Sequence, residues 1–259
     1  MRPRLMGGCV VALLGLARVA SAQIVNVQAL LEDEPEPGVS GKVEASGDWR
    51  TGNTRLLRVG AAAALQYACG PHRGFAIVRG DYGQSGSPLT KYLSKTFEHV
   101  RYRWSASPRW TAEVFAQNEA DEFRRLRLRA LAGAGPRLTV ASADELTAHV
   151  GVAYMFEYEL RPDDGGADSG RGSAAHRVSS YVTGAYARDP KVRVHATAYV
   201  QPRLDAPRDL RVLIEAGLTV ALSSSISYKT AFTLGHDSRP PDGTNRTDTA
   251  LQSALSLAF

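Results

Sequence analysis

Apolar and polar residues alternate along almost the whole chain, and this period of two constrains the fold more than any other feature. The clearest run spans residues 146–158, and its apolar face holds Leu146, Ala148, Val150, Val152, Tyr154, Phe156 and Tyr158. Successive side chains of a β-strand point to opposite faces of the sheet. The run therefore predicts a strand with one apolar and one polar face. From Val39 onward we identify twelve such segments.

The lengths of the segments and of their connections favour a membrane barrel. Several segments are longer than the strands of soluble proteins, which average about five to six residues, and suit a tilted strand that crosses a bilayer. Tight connections follow segments 2, 4, 6, 8 and 10, and longer ones follow segments 3, 7, 9 and 11. We therefore predict an all-β fold, a transmembrane antiparallel up-and-down β-barrel of twelve strands over residues 39–259. The alternative is a soluble sandwich or lipocalin-like barrel, with its apolar faces inside.

The amino-terminal residues predict export. Arg2 and Arg4 precede an apolar run over residues 10–16, and the small residues Ala20-Ser-Ala22 end the segment. This order is typical of a cleaved secretory signal peptide, so we expect residues 1–22 to be removed after Ala22. The alternative, a membrane anchor, needs a longer apolar run. Residues 23–38 end in an acidic, proline-rich stretch, which predicts a periplasmic lead-in or linker.

The carboxy-terminal strand ends on an aromatic residue. It places Leu251, Leu255, Leu257 and Phe259 on one face. An alternating strand that closes on Phe has the form of the assembly signal of outer-membrane barrels. We therefore expect this strand to engage the barrel assembly machinery, and the protein to reside in the outer membrane of a Gram-negative bacterium, with outer-membrane lipid and lipopolysaccharide as partners.

Composition removes several other classes of protein. Mean hydropathy is slightly negative and no long apolar run follows the amino terminus, which excludes a helical membrane protein. Loss of three arginines with the signal peptide lowers the formal net charge from +5 to +2, so the basic composition predicts no nucleic-acid partner. The same cleavage leaves Cys69 as the single cysteine, and no internal disulfide is expected.

Two stretches resemble a known family. They are Asp-Trp-Arg-Thr-Gly-Asn-Thr-Arg-Leu-Leu-Arg at 48–58 and Phe-Ala-Gln-Asn-Glu-Ala-Asp-Glu-Phe-Arg-Arg-Leu-Arg-Leu-Arg-Ala-Leu-Ala-Gly-Ala-Gly-Pro at 115–136. Both are similar to segments of DUF481, the YdiY-like salt-induced outer-membrane proteins. The resemblance implies an outer-membrane β-barrel over most of the chain after Gln23. It implies no established activity and carries over no functional residues.

The predicted inward faces are crowded with charge. The candidate lumen cluster consists of Arg101, Arg103, Glu113, Glu119, Asp121, Arg127, Arg129 and Glu157. Small barrels fill their interiors with side chains, and buried charges must pair, so a structural ion-pair network competes with a selectivity filter. The expected lipid-facing residues are Val150, Val152, Tyr154, Phe156, Leu255 and Leu257.

Other motifs point less clearly to chemistry. His99, His149 and His195 are predicted to face inward, on strands that are not neighbours. We interpret them as polar fillers of the lumen, with a metal or catalytic site as the alternative. The glycines of Gly133-Ala-Gly135 precede no predicted helix, so they indicate crowding within the barrel rather than a phosphate loop. We see no Gly-x-Ser-x-Gly nucleophile motif, and we expect no metal and no cofactor.

The molecular activity is not readable from these patterns. The leading hypothesis is a non-enzymatic barrel: either a narrow pore for small solutes, with a mild preference for anions, or a structural or stress-related component of the envelope. The alternatives are an outer-membrane enzyme that modifies lipid or lipopolysaccharide, and a surface receptor that uses the long loops.

Overall fold

The computed structural model describes residues 37–165, 168–189, 191–223 and 226–257, with no description of the side chains of 256 and 257. The predicted signal peptide, most of the lead-in and Phe259 lie outside this part. The strands are β1 (Gly38–Arg50), β2 (Leu56–Cys69), β3 (His72–Ser85), β4 (Thr90–Ser105), β5 (Trp110–Asp121), β6 (Leu126–Ala143), β7 (Leu146–Leu160), β8 (Gly172–Tyr186), β9 (Val192–Pro202), β10 (Leu210–Ala221), β11 (Ile226–Asp237) and β12 (Thr247–Leu257).

The twelve strands form one sheet in chain order. Each strand pairs antiparallel with its neighbours in the sequence, as in the registers Val43↔Ala63 and Val150↔Val182. The predicted all-β, up-and-down fold of twelve strands is therefore confirmed. Among the described residues no backbone pairing joins β1 to β12, so these strands are the two edges of the sheet. No helix in the described part is long and apolar enough to span a membrane.

Side-chain contacts between distant strands show that the sheet curls around a common interior. The Tyr181 hydroxyl on β8 donates to Glu113 on β5 at 2.6 Å. Arg211 on β10 reaches Glu159 on β7, also at 2.6 Å. Such contacts cannot form across a flat sheet, because strands three apart would be separated by about 14 Å.

The two faces have the opposite sense to those of a soluble β-protein. On the outward face Val152, Tyr154 and Phe156 are 47%, 52% and 40% exposed, and Leu255 is 58% exposed. Val150 is partly buried on the same face, and the side chain of Leu257 lies outside the described part. On the inward face the charged residues Glu119 and Arg129 are each 1% exposed. The structure thus places charge inside and apolar surface outside.

The connections fall into two sets at opposite ends of the strands. The tight-turn end carries residues 70–71, 106–109, 144–145, 187–191 and 222–225, and the loop end carries 51–55, 86–89, 122–125, 161–171, 203–209 and 238–246. The long connection predicted after strand 3 was wrong, since Ser85 pairs with Thr90 and leaves a short turn. The long connection predicted after strand 7 ends at residue 171, because β8 begins at Gly172, which pairs with Leu160.

A bulge in β6 corrects the predicted position of Arg127. Glu119 pairs with Arg129, but two residues further along β5 Asp121 pairs with Leu126, three residues earlier on β6. The extra residue reverses the alternation between these points. Leu126 is therefore buried at 3% exposure, and Arg127 is exposed rather than inward.

Candidate functional site

Most of the buried inward charges form two clusters at different heights in the interior. The tight-turn cluster comprises Arg101, Arg103, Glu113 and Arg137, which lie towards the tight-turn end of β4, β5 and β6. The loop-end cluster lies towards the other end and comprises Glu119, Arg129, Glu157, Glu159, Arg161, Arg177, Asp209, Arg211 and Asp237. Between them lie aromatic and apolar side chains.

The tight-turn cluster converges on one carboxylate. Arg103 Nε donates to Glu113 Oε1 at 2.5 Å, and Tyr181 donates to Oε2 at 2.6 Å. Arg101 Nη1 lies 3.5 Å from Oε2, and Arg137 Nη1 lies 3.5 Å from Oε1. The four charged residues thus set three guanidinium groups around a single carboxylate, and their formal sum is positive.

A glycine makes room for the Tyr181 ring in this cluster. Gly151 on β7 pairs with Tyr181 on β8, and a Cβ built on Gly151 would overlap the Tyr181 ring. The same relation holds between Gly133 and Phe115, and between Gly217 and His195. Inward glycines therefore alternate with large rings, which agrees with the interpretation of Gly133 as a residue in a crowded interior.

The loop-end cluster is a network in which the acidic and basic groups nearly balance. Arg211 Nη2 donates to Glu159 Oε1 at 2.6 Å and Arg211 Nε to Asp237 at 3.3 Å, and Arg211 Nη1 pairs with Glu157. Arg129 also donates to Glu159, at 2.6 Å. Arg177 bridges Glu157 and Asp209 at 3.1 and 2.9 Å. Four arginines therefore face five carboxylates, and most of them are almost fully buried.

The layer between the clusters is apolar and aromatic. Tyr181, Tyr199 and Leu213 form one buried group, and Phe75 and Phe97 form another. His99 lies in this layer, stacked between Phe97 and Phe115, with Nδ1 3.2 Å from Gln117 Oε1.

The other inward histidines have separate partners. His149 Nδ1 lies 3.2 Å from Thr139 Oγ1, and the ring of His195 covers Gly217. The structure therefore places His99, His149 and His195 in separate environments. Within the described ranges, no three His, Cys, Asp or Glu side chains are grouped so that they could hold a metal ion.

The loop end is tied together by Arg125. This residue follows the 3₁₀ turn Glu122–Arg124 in a left-handed conformation, with φ of 52°. Its guanidinium binds Asp164 at 2.8 Å in the connection 161–171 and donates at 3.1 Å to the carbonyl of Asp242 in the connection 238–246. Hydrogen bonding to Asp164 raises the pKa of Arg125 above its ordinary value. Three loops at this end are thus held by one side chain.

The wall around the sheet edges is lined by much smaller side chains. Its inward residues on β11, β12 and β2 include Gly60, Ala62, Ala64, Ala231, Gly235, Ala250 and Ala254. Longer side chains on the same face are Lys42, Glu44, Arg58, Gln66, Lys229 and Gln252. Lys42 and Glu44 on β1 pair with each other and are 73% and 61% exposed. The interior is therefore filled along β4–β10 and thinly lined along β11, β12, β1 and β2.

Comparison with known proteins decides the family. The model of a family described as a protein of unknown function, DUF481, matches residues 43–259. The chain belongs to DUF481. A comparison with curated proteins found no match.

Among solved structures, this DUF481 protein is similar to the NanC porin, with a TM-score of 0.49 and 10% identity over 85% of this chain and 99% of that one. It is also similar to a bacterial polysaccharide outer membrane secretin, with a TM-score of 0.48 and 12% identity over 85% and 80% of the two chains. A third is the translocator domain of the autotransporter NalP from Neisseria meningitidis, with a TM-score of 0.43 and 13% identity over 90% and 93%.

The structure divides the predicted lumen cluster of this DUF481 protein into four groups. Arg101, Arg103 and Glu113 meet in the tight-turn cluster, and Glu119, Arg129 and Glu157 meet in the loop-end cluster. Asp121 is buried but caps the 3₁₀ turn by accepting from Phe123 N at 3.1 Å and Arg124 N at 3.3 Å. Arg127 belongs to neither cluster.

Several members of the two clusters were absent from the sequence-based set. Tyr181 and Arg177 share the inward face of β8 by alternation, so the pattern could have identified them. Asp209 lies in a connection and Asp237 at the end of a strand, where alternation predicts nothing about contacts.

Proposed function

We propose that this DUF481 protein is an integral outer-membrane β-barrel whose apolar outward face meets lipid. The observation that carries the proposal is the sense of the two faces, with ion pairs buried inside and large apolar side chains exposed outside. In water such an arrangement would expose an extended apolar surface, whereas in a bilayer both faces are satisfied. The predicted signal peptide, the predicted assembly signal at Phe259 and the family resemblance support the same location.

In the membrane, β1 and β12 would adjoin and close the barrel. An open sheet edge within hydrocarbon leaves backbone N–H and C=O groups without partners, at a cost of several kcal/mol each. The curl of the sheet already brings distant elements together, since Arg124 after β5 lies 3.3 Å from Asp248 on β12. An even number of strands also suits closure with both chain ends on one side.

The function that this interior supports best is a narrow, off-centre passage for small solutes. The side chains of β4–β10 fill one side of the interior, and Met155 and Leu213 there have no exposed surface. The small residues of β2, β11 and β12 leave room on the other side. Lys42, Glu44 and Arg58 would contribute charge to this passage, and the excess of arginines in the tight-turn cluster would favour anions over cations.

A paired substitution on β7 tests the membrane location. Val152→Arg should impair assembly, because Arg at a lipid-facing site near the bilayer centre costs about 2–4 kcal/mol. Thr147→Arg, which changes an inward position of the same strand, should be tolerated. Heat-modifiable gel migration and fractionation report the result. Recovery of the unmodified protein in the soluble periplasm, or the opposite ranking of the variants, would contradict the proposal.

A second pair, on β2, tests the passage. Ala62 faces inward beside Gly60, and Ala63 faces outward opposite Val43. In planar-bilayer recordings, Ala62→Trp should lower the single-channel conductance and Ala63→Trp should leave it unchanged. Equal conductance of both variants would refute the off-centre passage. Silence of correctly assembled, unmodified protein under all salt conditions would remove the pore and favour a structural role in the envelope.

A further inference from the structure

We propose that the tight-turn cluster is a binding site for a small oxyanion, either a carboxylate or a phosphate group. The cluster sets the guanidinium groups of Arg101, Arg103 and Arg137 around the carboxylate of Glu113. Burying charges without compensation is costly, and removal from water is tolerated when an opposite charge is supplied. A bound oxyanion would supply that charge and accept bonds from the guanidinium groups.

Arg101 provides donors for such a ligand. Its side chain is only 5% exposed, and the guanidinium carbon lies 5.1 Å from the centre of the Phe115 ring. Among the described residues, its Nε and Nη1 atoms have no hydrogen-bond partner. A buried guanidinium that lies over an aromatic ring and keeps an Nε–H without a hydrogen-bond partner is suited to donate to an oxyanion.

In the loop-end cluster of the same interior, carboxylates of the protein itself compensate the charge of the arginines. There Arg211 contacts three carboxylates, those of Glu157, Glu159 and Asp237. The arginines of the tight-turn cluster share one carboxylate. The tight-turn cluster as defined therefore has a positive formal sum, which favours the binding of a negative charge there.

The tight-turn cluster can also be reached from outside. The side chains of Arg103 and Arg137 are 12% and 11% exposed, compared with 1% for Arg129 in the loop-end cluster. The two residues lie near the short turns, which face the periplasm in the proposed topology. The inference rests on the proposed function only in requiring that water-soluble anions reach this end of the interior; it does not require conduction.

Thermal unfolding and titration calorimetry on the detergent-solubilised protein test the site. Inorganic phosphate and succinate are the two probes, each compared with chloride at equal ionic strength. One or both should raise Tm and bind measurably, and the stronger probe identifies the preferred oxyanion. Arg137→Gln should weaken binding by roughly 10- to 100-fold, whereas Arg127→Gln, which removes an exposed arginine from the same strand, should leave it unchanged.

The direction in which Glu113→Gln changes the stabilisation by these anions is a further check. Glu113→Gln removes the competing carboxylate, so phosphate or succinate should raise Tm more in this variant than in the unmodified protein. If the variant folds only when one of these anions is present, the proposal is also supported.

Equal Tm in phosphate, succinate and chloride would overturn the site, as would equal binding by Arg137→Gln and the unmodified protein. Because binding is measured without a bilayer, a silent planar-bilayer recording with intact anion binding would refute the pore alone. Conduction without anion binding would refute the site alone.

Discussion

The two charge clusters contain the same types of side chain, arginine and carboxylate, but in different ratios. In the loop-end cluster four arginines meet five carboxylates, and Glu157 and Glu159 each pair with more than one arginine. In the tight-turn cluster three arginines meet one carboxylate. Ion-pair clusters inside one sheet can therefore differ in their balance of positive and negative charge. The balanced network joins several strands, and the unbalanced one is the place where we propose that an oxyanion binds.

The two clusters also differ in the number of strands and connections that their side chains join. The loop-end cluster joins β5, β6, β7, β8, β10 and β11 together with the connections 161–171 and 203–209, and in the latter Asp209 binds Arg177. In the same connection, Arg203 holds the pKa of Asp205 below its usual range by hydrogen bonding. The tight-turn cluster is linked across the interior to β8 by the hydroxyl of Tyr181. We therefore expect substitutions at the loop end to cost more stability.

The largest effect is expected for Arg211→Gln. Removing one partner of a buried ion-pair network costs about 3–5 kcal/mol, because the remaining charges stay buried without compensation. Denaturant unfolding of the refolded protein, followed by tryptophan fluorescence, measures the loss. Arg127→Gln is the control and should change stability by less than about 0.5 kcal/mol. A loss below about 1 kcal/mol for Arg211→Gln would mean that the network is solvated and does not hold the strands.

An intermediate effect is expected for Gly151→Ala. The added methyl group would displace the Tyr181 ring and separate its hydroxyl from Glu113, at a cost of roughly 1–3 kcal/mol. Gly47→Ala on β1 is the control, since a Cβ there meets no atom within 4 Å. The same unfolding assay applies. Equal stability of the two variants would show that the tight packing around Tyr181 relaxes without loss.

The smallest effect is expected for Arg137→Gln in chloride. This change removes one of three like charges around Glu113 and leaves two arginines to pair with it, so stability should stay within about 0.5 kcal/mol of the unmodified protein. A small loss of stability for Arg137→Gln beside a large loss for Arg211→Gln would support the distinction between the two clusters. A loss comparable to that of Arg211→Gln would show that both clusters are structural, and it would remove the physical basis for an anion site.

The strands and their faces could be predicted from the sequence because alternation is local. Alternation along β7 placed Val152 and Tyr154 on one apolar face. The outward sense of that face was predicted from the strand lengths, the connections, the signal peptide and the terminal Phe, and the order of the strands followed from the short connections. The position of Arg127 could not be predicted in the same way. The bulge beside it comes with the left-handed Arg125 and the 3₁₀ turn, and one extra residue reverses the face of every residue up to the bulge.

The clusters depend on long-range geometry that alternation does not contain. The contact between Arg211 on β10 and Glu159 on β7 depends on the curvature of the whole sheet. The sequence pattern of either strand does not predict it. The pattern therefore predicted a charged interior, and the division into an unbalanced and a balanced cluster emerged only from the structure.

The most direct test of the account measures what surrounds Val152. The chain beginning at Gln23, with Cys69→Ser and Val152→Cys, would carry a nitroxide spin label after refolding into lipid vesicles. Collisions with dissolved oxygen and with a water-soluble nickel chelate then report whether the label lies in hydrocarbon or in water. The account predicts frequent collisions with oxygen and few with nickel. Frequent collisions with nickel would place Val152 in water and contradict the claim that the apolar face meets lipid.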